Sequence, residues 1–136
     1  MGANLNHAAE QLAAADILDS RRLKENYADD MELLEEVIEL FFDSSPSYLS
    51  NIRDAVARGD SQALRETAHK LRGAVGNLCA TATLEAARRL EEIGRDNRMA
   101  EAGDALIAVE LELARLETAL AEFVHPNDPG RTGAQG

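Results

Sequence analysis

One histidine in the middle of the chain is surrounded by residues that suit phosphoryl chemistry. Arg72, Gly73 and Gly76 follow His69 at +3, +4 and +7, and at about 3.6 residues per turn these positions share one helix face with it. A neutral imidazole is a nucleophile at cellular pH. A guanidinium one turn away can neutralise the charge of an attached or arriving phosphoryl group. The set therefore predicts a phosphoryl acceptor site.

The two glycines on this face need their own explanation. Glycine in a helix interior is less stable than alanine by about 0.5–1 kcal/mol, and Gly73 and Gly76 lie within one turn of each other. This repeated destabilisation indicates that a partner approaches the backbone closely beside His69. Each residue alone has a plainer interpretation, since Gly73 can serve helix packing, Arg72 can be a solvated side chain, and a lone surface histidine usually has no function.

The helix that carries His69 turns the histidine away from the core. Its apolar residues are spaced by four and three and are Leu64, Ala68, Leu71, Val75 and Leu78. At about 100° per residue these five cluster within roughly 40° of one direction, and His69 points about 140° away from their centre. The imidazole is therefore predicted to face solvent.

Similar apolar stripes predict three further long helices and a short helix before them. The short helix covers about residues 20–27 and places Leu23 on the bundle. The other stripes are Leu34, Ile38, Phe41, Tyr48, Ile52 and Ala55; Leu84, Ala87, Leu90 and Ile93, ending near Asn97; and Leu106, Val109, Leu113, Leu116, Leu120 and Phe123. Four amphipathic helices with short connections predict an all-α fold, an antiparallel up-down four-helix bundle with a short N-terminal lead-in helix.

The helix boundaries have recognisable signals. Asp29 or Asp30 is predicted to cap the first long helix. The apolar register of that helix continues across Pro46 without a slip, which favours one long kinked helix to about Arg58 over two helices. Gly59-Asp60 then supplies a C-terminal stop and the next N-cap.

Composition and charge limit the possible functions. A length of 136 residues suits one domain, and 45% hydrophobic but only 4% aromatic residues favour helix packing. We assign residues 16–125 to the bundle, 1–15 to a disordered or weakly ordered tail, and 126–136 to a disordered tail. A net charge of −11 disfavours nucleic acid and membranes as partners. The single Cys79 forms no internal disulfide and no metal-type spacing, and a cytoplasmic location is expected.

Positive charge is concentrated around His69. Residues 65–98 hold seven basic and five acidic residues, a net charge of +2, whereas the remainder holds seven basic and twenty acidic residues, a net charge of −13. Lys70 and Arg95 belong to this basic stretch, and we count them with Gly76 among the supporting residues of the site. No metal ligands are predicted.

The motif around His69 resembles that of a known family. His-Lys-Leu-Arg-Gly at 69–73 is similar to the His-x-Leu-Lys-Gly signature of histidine phosphotransfer (HPt) domains. The flanking segments that resemble the family are Leu34–Phe41 with Pro46, Gly59-Asp60, and Leu90–Arg95. The resemblance covers roughly residues 17–124.

The resemblance implies a role for several residues. His69 accepts the phosphoryl group, and Gly73 leaves space beside the imidazole. Arg72 stands where the family usually has Lys. Glu91 falls where some members place a Gln that hydrogen-bonds the histidine, which marks it as a possible orienting group. Cys79 occupies a position where the family often has Gly.

The implied function is a step in a two-component phosphorelay. The chain would take a phosphoryl group from a phospho-aspartyl receiver domain, or a kinase, and pass it to another receiver. Its expected partners are response-regulator receiver domains and a hybrid sensor histidine kinase, and it is expected to be a monomer. The receiver would bring the Mg²⁺, so no cofactor of its own is expected. Such a carrier is consumed and regenerated stoichiometrically and is not an enzyme.

Three other classes share some of these features. A di-iron bundle is suggested by Glu66 and His69 in Glu-x-x-His spacing, but it needs a second such motif, and His7 and His125 lie in or beside the tails. A sensor-kinase dimerisation helix needs an ATP-binding domain, for which the chain is too short. A helical adaptor or inhibitor that binds a receiver or kinase without accepting phosphate shares the fold and the surface, and only phosphorylation of His69 distinguishes it.

Overall fold

The computed structural model describes residues 14–126, which are almost entirely helical. The elements are α1 (Ser20–Asn26), α2 (Met31–Arg58), α3 (Ser61–Val75), α4 (Thr81–Arg95) and α5 (Ala102–Val124), with a 3₁₀ turn at Met99–Glu101 before α5. Residues 14–17 are helical as well. Of the tails assigned from the sequence, 1–13 and 127–136 lie outside the described residues.

The four long helices form an antiparallel bundle. Each packs against its neighbours along the chain, and α2 also packs against α5, which closes the ring. Ser45 of α2 donates a hydrogen bond to Glu117 of α5. A second contact joins the same helices: Nη2 of Arg53, two turns after Ser45 in α2, lies 2.7 Å from Oε2 of Glu110, which is two turns before Glu117 in α5. No strand occurs within residues 14–126, and the predicted bundle with its lead-in helix is confirmed.

Most residues of the predicted apolar stripes form the core. Those that are buried are Leu23 of α1; Leu34, Ile38, Phe41, Ile52 and Ala55 of α2; Leu64, Ala68, Leu71 and Val75 of α3, with Leu78 in the following turn; Ala87, Leu90 and Ile93 of α4; and Val109, Leu113, Leu116 and Leu120 of α5. Fully burying one Leu or Ile side chain stabilises the fold by about 1.5–3 kcal/mol. The apolar stripe of each helix therefore sets the rotation of that helix about its own axis.

The first turns of α4 and α5 differ from the prediction. Leu84 and Leu106 are half-buried, and the residues one position earlier, Thr83 and Ala105, are buried instead. The Thr83 hydroxyl donates a hydrogen bond of 3.2 Å to the carbonyl of Glu112 in α5, which satisfies a polar group inside the bundle. A pattern of apolar residues does not detect a buried threonine. In the first turns of α4 and α5 the predicted buried face is therefore displaced by one residue.

Helix α2 is continuous through Pro46. The prediction of one helix to Arg58 is confirmed, and the alternative of two helices is wrong. Proline lacks an N–H, so the carbonyl of Phe42 loses its usual intrahelical donor. The neighbouring Ser45 is buried and bonded to Glu117, and this contact with α5 supports the helix at its weakest point.

The loops before α2 and α3 use aspartate caps. Oδ1 of Asp30 accepts from the backbone N–H of Leu33 at 3.0 Å, and Oδ1 of Asp60 accepts from that of Ala63 at 3.0 Å. Gly59 ends α2 in the left-handed conformation, with φ +64°, which glycine adopts at no steric cost. The sequence predicted Gly59 as the end of α2 and Asp60 as the next cap correctly. It left either Asp29 or Asp30 as the cap of α2, and the structure shows that the cap is Asp30.

Residues at the two ends of helix α1 form hydrogen bonds with the turn that follows α3. Asp19 N–H donates to the carbonyl of Cys79 at 2.9 Å, and Nδ2 of Asn26 donates to Cys79 Sγ at 3.5 Å. Cys79 itself has φ +54°, in the left-handed region. This conformation explains why a glycine suits the position, and the contacts from α1 hold the cysteine in it.

The cap assignment predicts different effects for two adjacent aspartates. Asp30→Ala removes the acceptor for Leu33 N–H and should lower the free energy of unfolding by about 1 kcal/mol. Asp29→Ala, one residue earlier and exposed, should change it by less than about 0.5 kcal/mol. Urea denaturation followed by far-UV circular dichroism measures both. Equal effects of the two substitutions would contradict the cap assignment.

Candidate functional site

The histidine singled out from the sequence faces solvent on α3. Its side chain is 63% exposed, whereas the residues beside it in the apolar stripe, Ala68 and Leu71, are fully buried. Their burial holds the helix rotation that points His69 outward. The ring is therefore accessible to a molecule that approaches the α3–α4 face.

One nitrogen of the ring is occupied by a carboxylate from the next helix. Nδ1 of His69 lies 2.9 Å from Oε2 of Glu91 in α4, and Nη2 of Arg72 lies 3.2 Å from the same nitrogen. Nδ1 donates to a carboxylate only when it carries a proton, and it accepts from a guanidinium only when it does not. The contact with Glu91 is shorter and charge-assisted, so it favours the tautomer with hydrogen on Nδ1 and the lone pair on Nε2.

Arg72 is bound to the same carboxylate. Its Nε lies 2.7 Å from Oε1 of Glu91, but the N–H is not aligned with this oxygen, so the contact is an ion pair rather than a hydrogen bond. Glu91 thus lies between the two groups, with its side chain 16% exposed. The guanidinium is at the Nδ1 edge of the imidazole.

The other predicted cations lie along the groove beside His69. The groove is lined by Ser61, Gln62, Arg65, Glu66, His69, Lys70, Glu91, Gly94 and Arg95. Nε of Arg95 donates to Oδ1 of Asp96 at 3.2 Å; this hydrogen bond raises the pKa of Arg95 and lowers the pKa of Asp96. Lys70 is exposed and makes no ion pair within residues 14–126. Arg95 is therefore partnered and Lys70 is available.

Comparison with known proteins places this arrangement in a family. The family model described as Hpt domain matches residues 36–119, which run from α2 into α5 and contain His69, Arg72 and Glu91. The chain belongs to the Hpt domain family. The match covers more than half of the chain, and the resemblance of its motif is thereby confirmed. No curated protein sequence matches this Hpt domain.

Two solved structures are similar to this Hpt domain. Histidine-containing phosphotransfer protein B (HptB) from Pseudomonas aeruginosa PAO1 is 27% identical with a TM-score of 0.72, and the match covers 77% of this chain and 91% of that one. The HPT domain of the Hpt sensor hybrid histidine kinase from Shewanella is 18% identical with a TM-score of 0.73, covering 84% and 98%. The second likeness shows the shared fold.

Gly94 is a residue of the Hpt domain whose importance the sequence did not reveal. A Cβ atom there would lie 2.6 Å from the backbone N of Arg65 and 2.7 Å from the carbonyl oxygen of Ser61. Backbone atoms cannot move aside as a flexible side chain can, so α3 and α4 approach this closely only because residue 94 has no side chain. The available signal was a glycine in the last turn of an amphipathic helix, directly after the buried Ile93.

Gly73 and Gly76 have more room. A Cβ at Gly73 would have no atom within 4 Å of it, and one at Gly76 would meet the carbonyl oxygen of Arg72 at 3.4 Å, an ordinary contact. Both residues are exposed. Packing within residues 14–126 therefore gives no reason for glycine at 73.

The described residues show neither a metal cluster nor a spanning segment. Within residues 14–126 no three His, Cys, Asp or Glu side chains lie together in a way that could hold a metal ion. Among the helices of the same residues, none combines the length and the apolar character needed to cross a bilayer.

The glycine environments predict opposite changes in stability. Gly94→Ala should lower the free energy of unfolding by about 1–3 kcal/mol, because its methyl group overlaps the backbone of α3. Gly103→Ala is the matched control, since Gly103 lies on the exposed face of α5 with nothing within 4 Å of a Cβ, and it should be neutral or stabilising by up to about 1 kcal/mol. Thermal and urea unfolding measure both. A Gly94→Ala variant as stable as the parent would refute the close-packing role.

Proposed function

We propose that this Hpt domain carries a phosphoryl group on Nε2 of His69 between receiver domains of a two-component phosphorelay. The donor is a phospho-aspartyl receiver domain or a hybrid sensor histidine kinase, and the acceptor is another receiver. The observation that carries the proposal is the exposed imidazole whose Nδ1 contacts Glu91 at 2.9 Å, since this contact leaves the lone pair of Nε2 directed away from the carboxylate.

The reaction is an in-line exchange of the phosphoryl group. The Nε2 lone pair forms a bond to phosphorus while the bond between phosphorus and the aspartyl oxygen of the donor breaks, and its electron pair returns to that carboxylate. The receiver supplies Mg²⁺ and most of the charge stabilisation. The Hpt domain contributes an oriented nucleophile. It returns to its starting state only after the second transfer, so it is a stoichiometric carrier and not an enzyme.

The supporting residues are assigned by charge and by space. Arg72 lies one turn from His69, with Nη2 3.2 Å from Nδ1 of the ring, and offers its positive charge to a phosphoryl group there. Lys70 and Arg95 line the same groove and offer positive charge to an anionic partner. Gly73 in α3 and Gly76 directly after it add no side chains beside His69, so a receiver can bring its aspartate close to the ring.

The acceptor itself is tested by substitution. A panel of phosphorylated receiver domains should transfer one phosphoryl group to the protein, in a linkage that is labile in acid and stable in alkali, as a phosphoramidate is. His69→Gln should abolish transfer and change the free energy of unfolding by less than about 0.5 kcal/mol, because the side chain is exposed. His125→Gln, the control on the other histidine of the described residues, should be labelled normally. Labelling that survives in His69→Gln would exclude His69, and no transfer to the unmodified protein would favour a non-phosphorylated adaptor.

The space beside the histidine is tested by a pair of glycine substitutions. Gly73→Ala should raise the free energy of unfolding by about 0.5–1 kcal/mol and slow transfer from a receiver, because the added methyl group lies where the partner must approach. Gly103→Ala should be neutral or stabilising by up to about 1 kcal/mol and should leave transfer unchanged. Stopped-flow or quenched transfer assays at saturating receiver measure the rates. Should Gly73→Ala stabilise the protein without slowing transfer, the approach-space role would be wrong while His69 remained the acceptor.

A further inference from the structure

The group that contacts Nδ1 of His69 is a carboxylate, and its charge has consequences beyond orientation. An amide oxygen would accept the same hydrogen bond and select the same tautomer. Glu91 also brings a negative charge to 2.9 Å from Nδ1. An opposite charge at this distance favours the protonated, cationic form of a ring, so the carboxylate matters most when the imidazole becomes a cation.

The imidazole becomes a cation when it takes up a phosphoryl group. Nε2 gives its lone pair to phosphorus while Nδ1 keeps its hydrogen, so the ring acquires a positive charge. Loss of the Nδ1 proton to water would leave a neutral phosphoimidazole. From that neutral form the leaving group is an imidazolate anion, whereas from the cation it is neutral imidazole, which departs far more readily. The proton on Nδ1 therefore decides how easily the phosphoryl group is given up.

We propose that Glu91 acts through its charge as a positioning residue that keeps the proton on Nδ1 of phosphorylated His69. In the return step the acceptor aspartate forms a bond to phosphorus, the bond between phosphorus and Nε2 breaks, and its electron pair returns to Nε2. Nδ1 retains its hydrogen throughout, so the starting tautomer is regenerated and no proton moves in either direction. This inference rests on the proposed phosphoryl transfer through His69 and deepens it: the carboxylate makes the carrier a ready donor.

The other charged groups around the ring do not substitute for the carboxylate of Glu91. The groups that face it are Arg65, Glu66, Lys70 and Arg72 from α3, and Glu91 and Arg95 from α4. Within residues 14–126 the only carboxylate in contact with Nδ1 is that of Glu91. Arg72 opposes a cation on the ring and is itself paired with Glu91, so Glu91→Gln is also made in an Arg72→Gln background, where only the carboxylate changes.

The experiment follows loss of the phosphoryl group against pH. The full chain is phosphorylated with phosphoramidate, a small donor that needs no receiver, and loss of the group is followed by ³¹P NMR for the unmodified protein, Glu91→Gln, Glu91→Ala and Glu92→Gln. The rate should fall as the pH rises, because the ring loses its proton. In Glu91→Gln this fall should occur about one pH unit lower, which makes loss roughly tenfold slower on the alkaline side. In acid, where the ring is protonated in every variant, the rates should converge.

The other variants separate charge from orientation. Glu92→Gln removes the neighbouring carboxylate, which does not line the groove, and should leave the profile unchanged. ¹⁵N chemical shifts of the unphosphorylated ring report the tautomer, which Glu91→Gln should retain and Glu91→Ala should lose. A profile of Glu91→Gln that superimposes on that of the unmodified protein would overturn the inference, even if Glu91→Ala differs, because orientation alone would then explain the residue. If neither phosphoramidate nor the phosphorylated receivers form a phosphoimidazole at His69 of the unmodified protein, the proposed function fails, and this inference fails with it.

Discussion

The approach of α3 to α4 at Gly94 is the constraint on which the site depends. Backbone meets backbone there, and a Cβ at residue 94 would lie 2.6 Å from Arg65 N. Because the helices are antiparallel, one turn onward from Arg65 in α3 is His69, and about one turn back from Gly94 in α4 is Glu91. A hydrogen bond weakens once its length grows by a few tenths of an ångström. The helix spacing therefore has to be held tightly for the carboxylate to reach the ring at 2.9 Å.

Burial on one side of α3 produces exposure on the other. Leu64, Ala68, Leu71 and Val75 are at most 1% exposed, and turning the helix to hide the histidine would return them to water at a cost of several kcal/mol. The histidine does not contribute to this core and need not be hidden. His69 is held in place by residues that lie inside the core, so its outward direction adds little to the demands of folding.

The cations near His69 differ in how firmly they are held. Arg95 is paired with Asp96, and an exposed ion pair of this kind contributes about 0–1 kcal/mol, so Arg95 can exchange this partner for an external anion at small cost. Arg72 is paired with Glu91, whose side chain is only 16% exposed, and is held more firmly. The rest of the chain is strongly acidic, so an anionic partner is attracted to this face and repelled by the others.

Local sequence patterns determined the elements of this protein and the direction of its histidine. Hydrophobic spacing, aspartate caps and Gly59 predicted the helices, since each is a property of a few consecutive residues, and the same spacing placed His69 outside the core. The tertiary structure alone decided the contacts between helices: Thr83 rather than Leu84 in the core, Arg72 at the Nδ1 edge of the ring, and Gly94 as the residue that allows the close approach. The family resemblance marked Glu91 as a possible orienting group, and its distance from the ring came from the structure. Distances between helices depend on how distant side chains pack together, and no periodicity within a single helix records them.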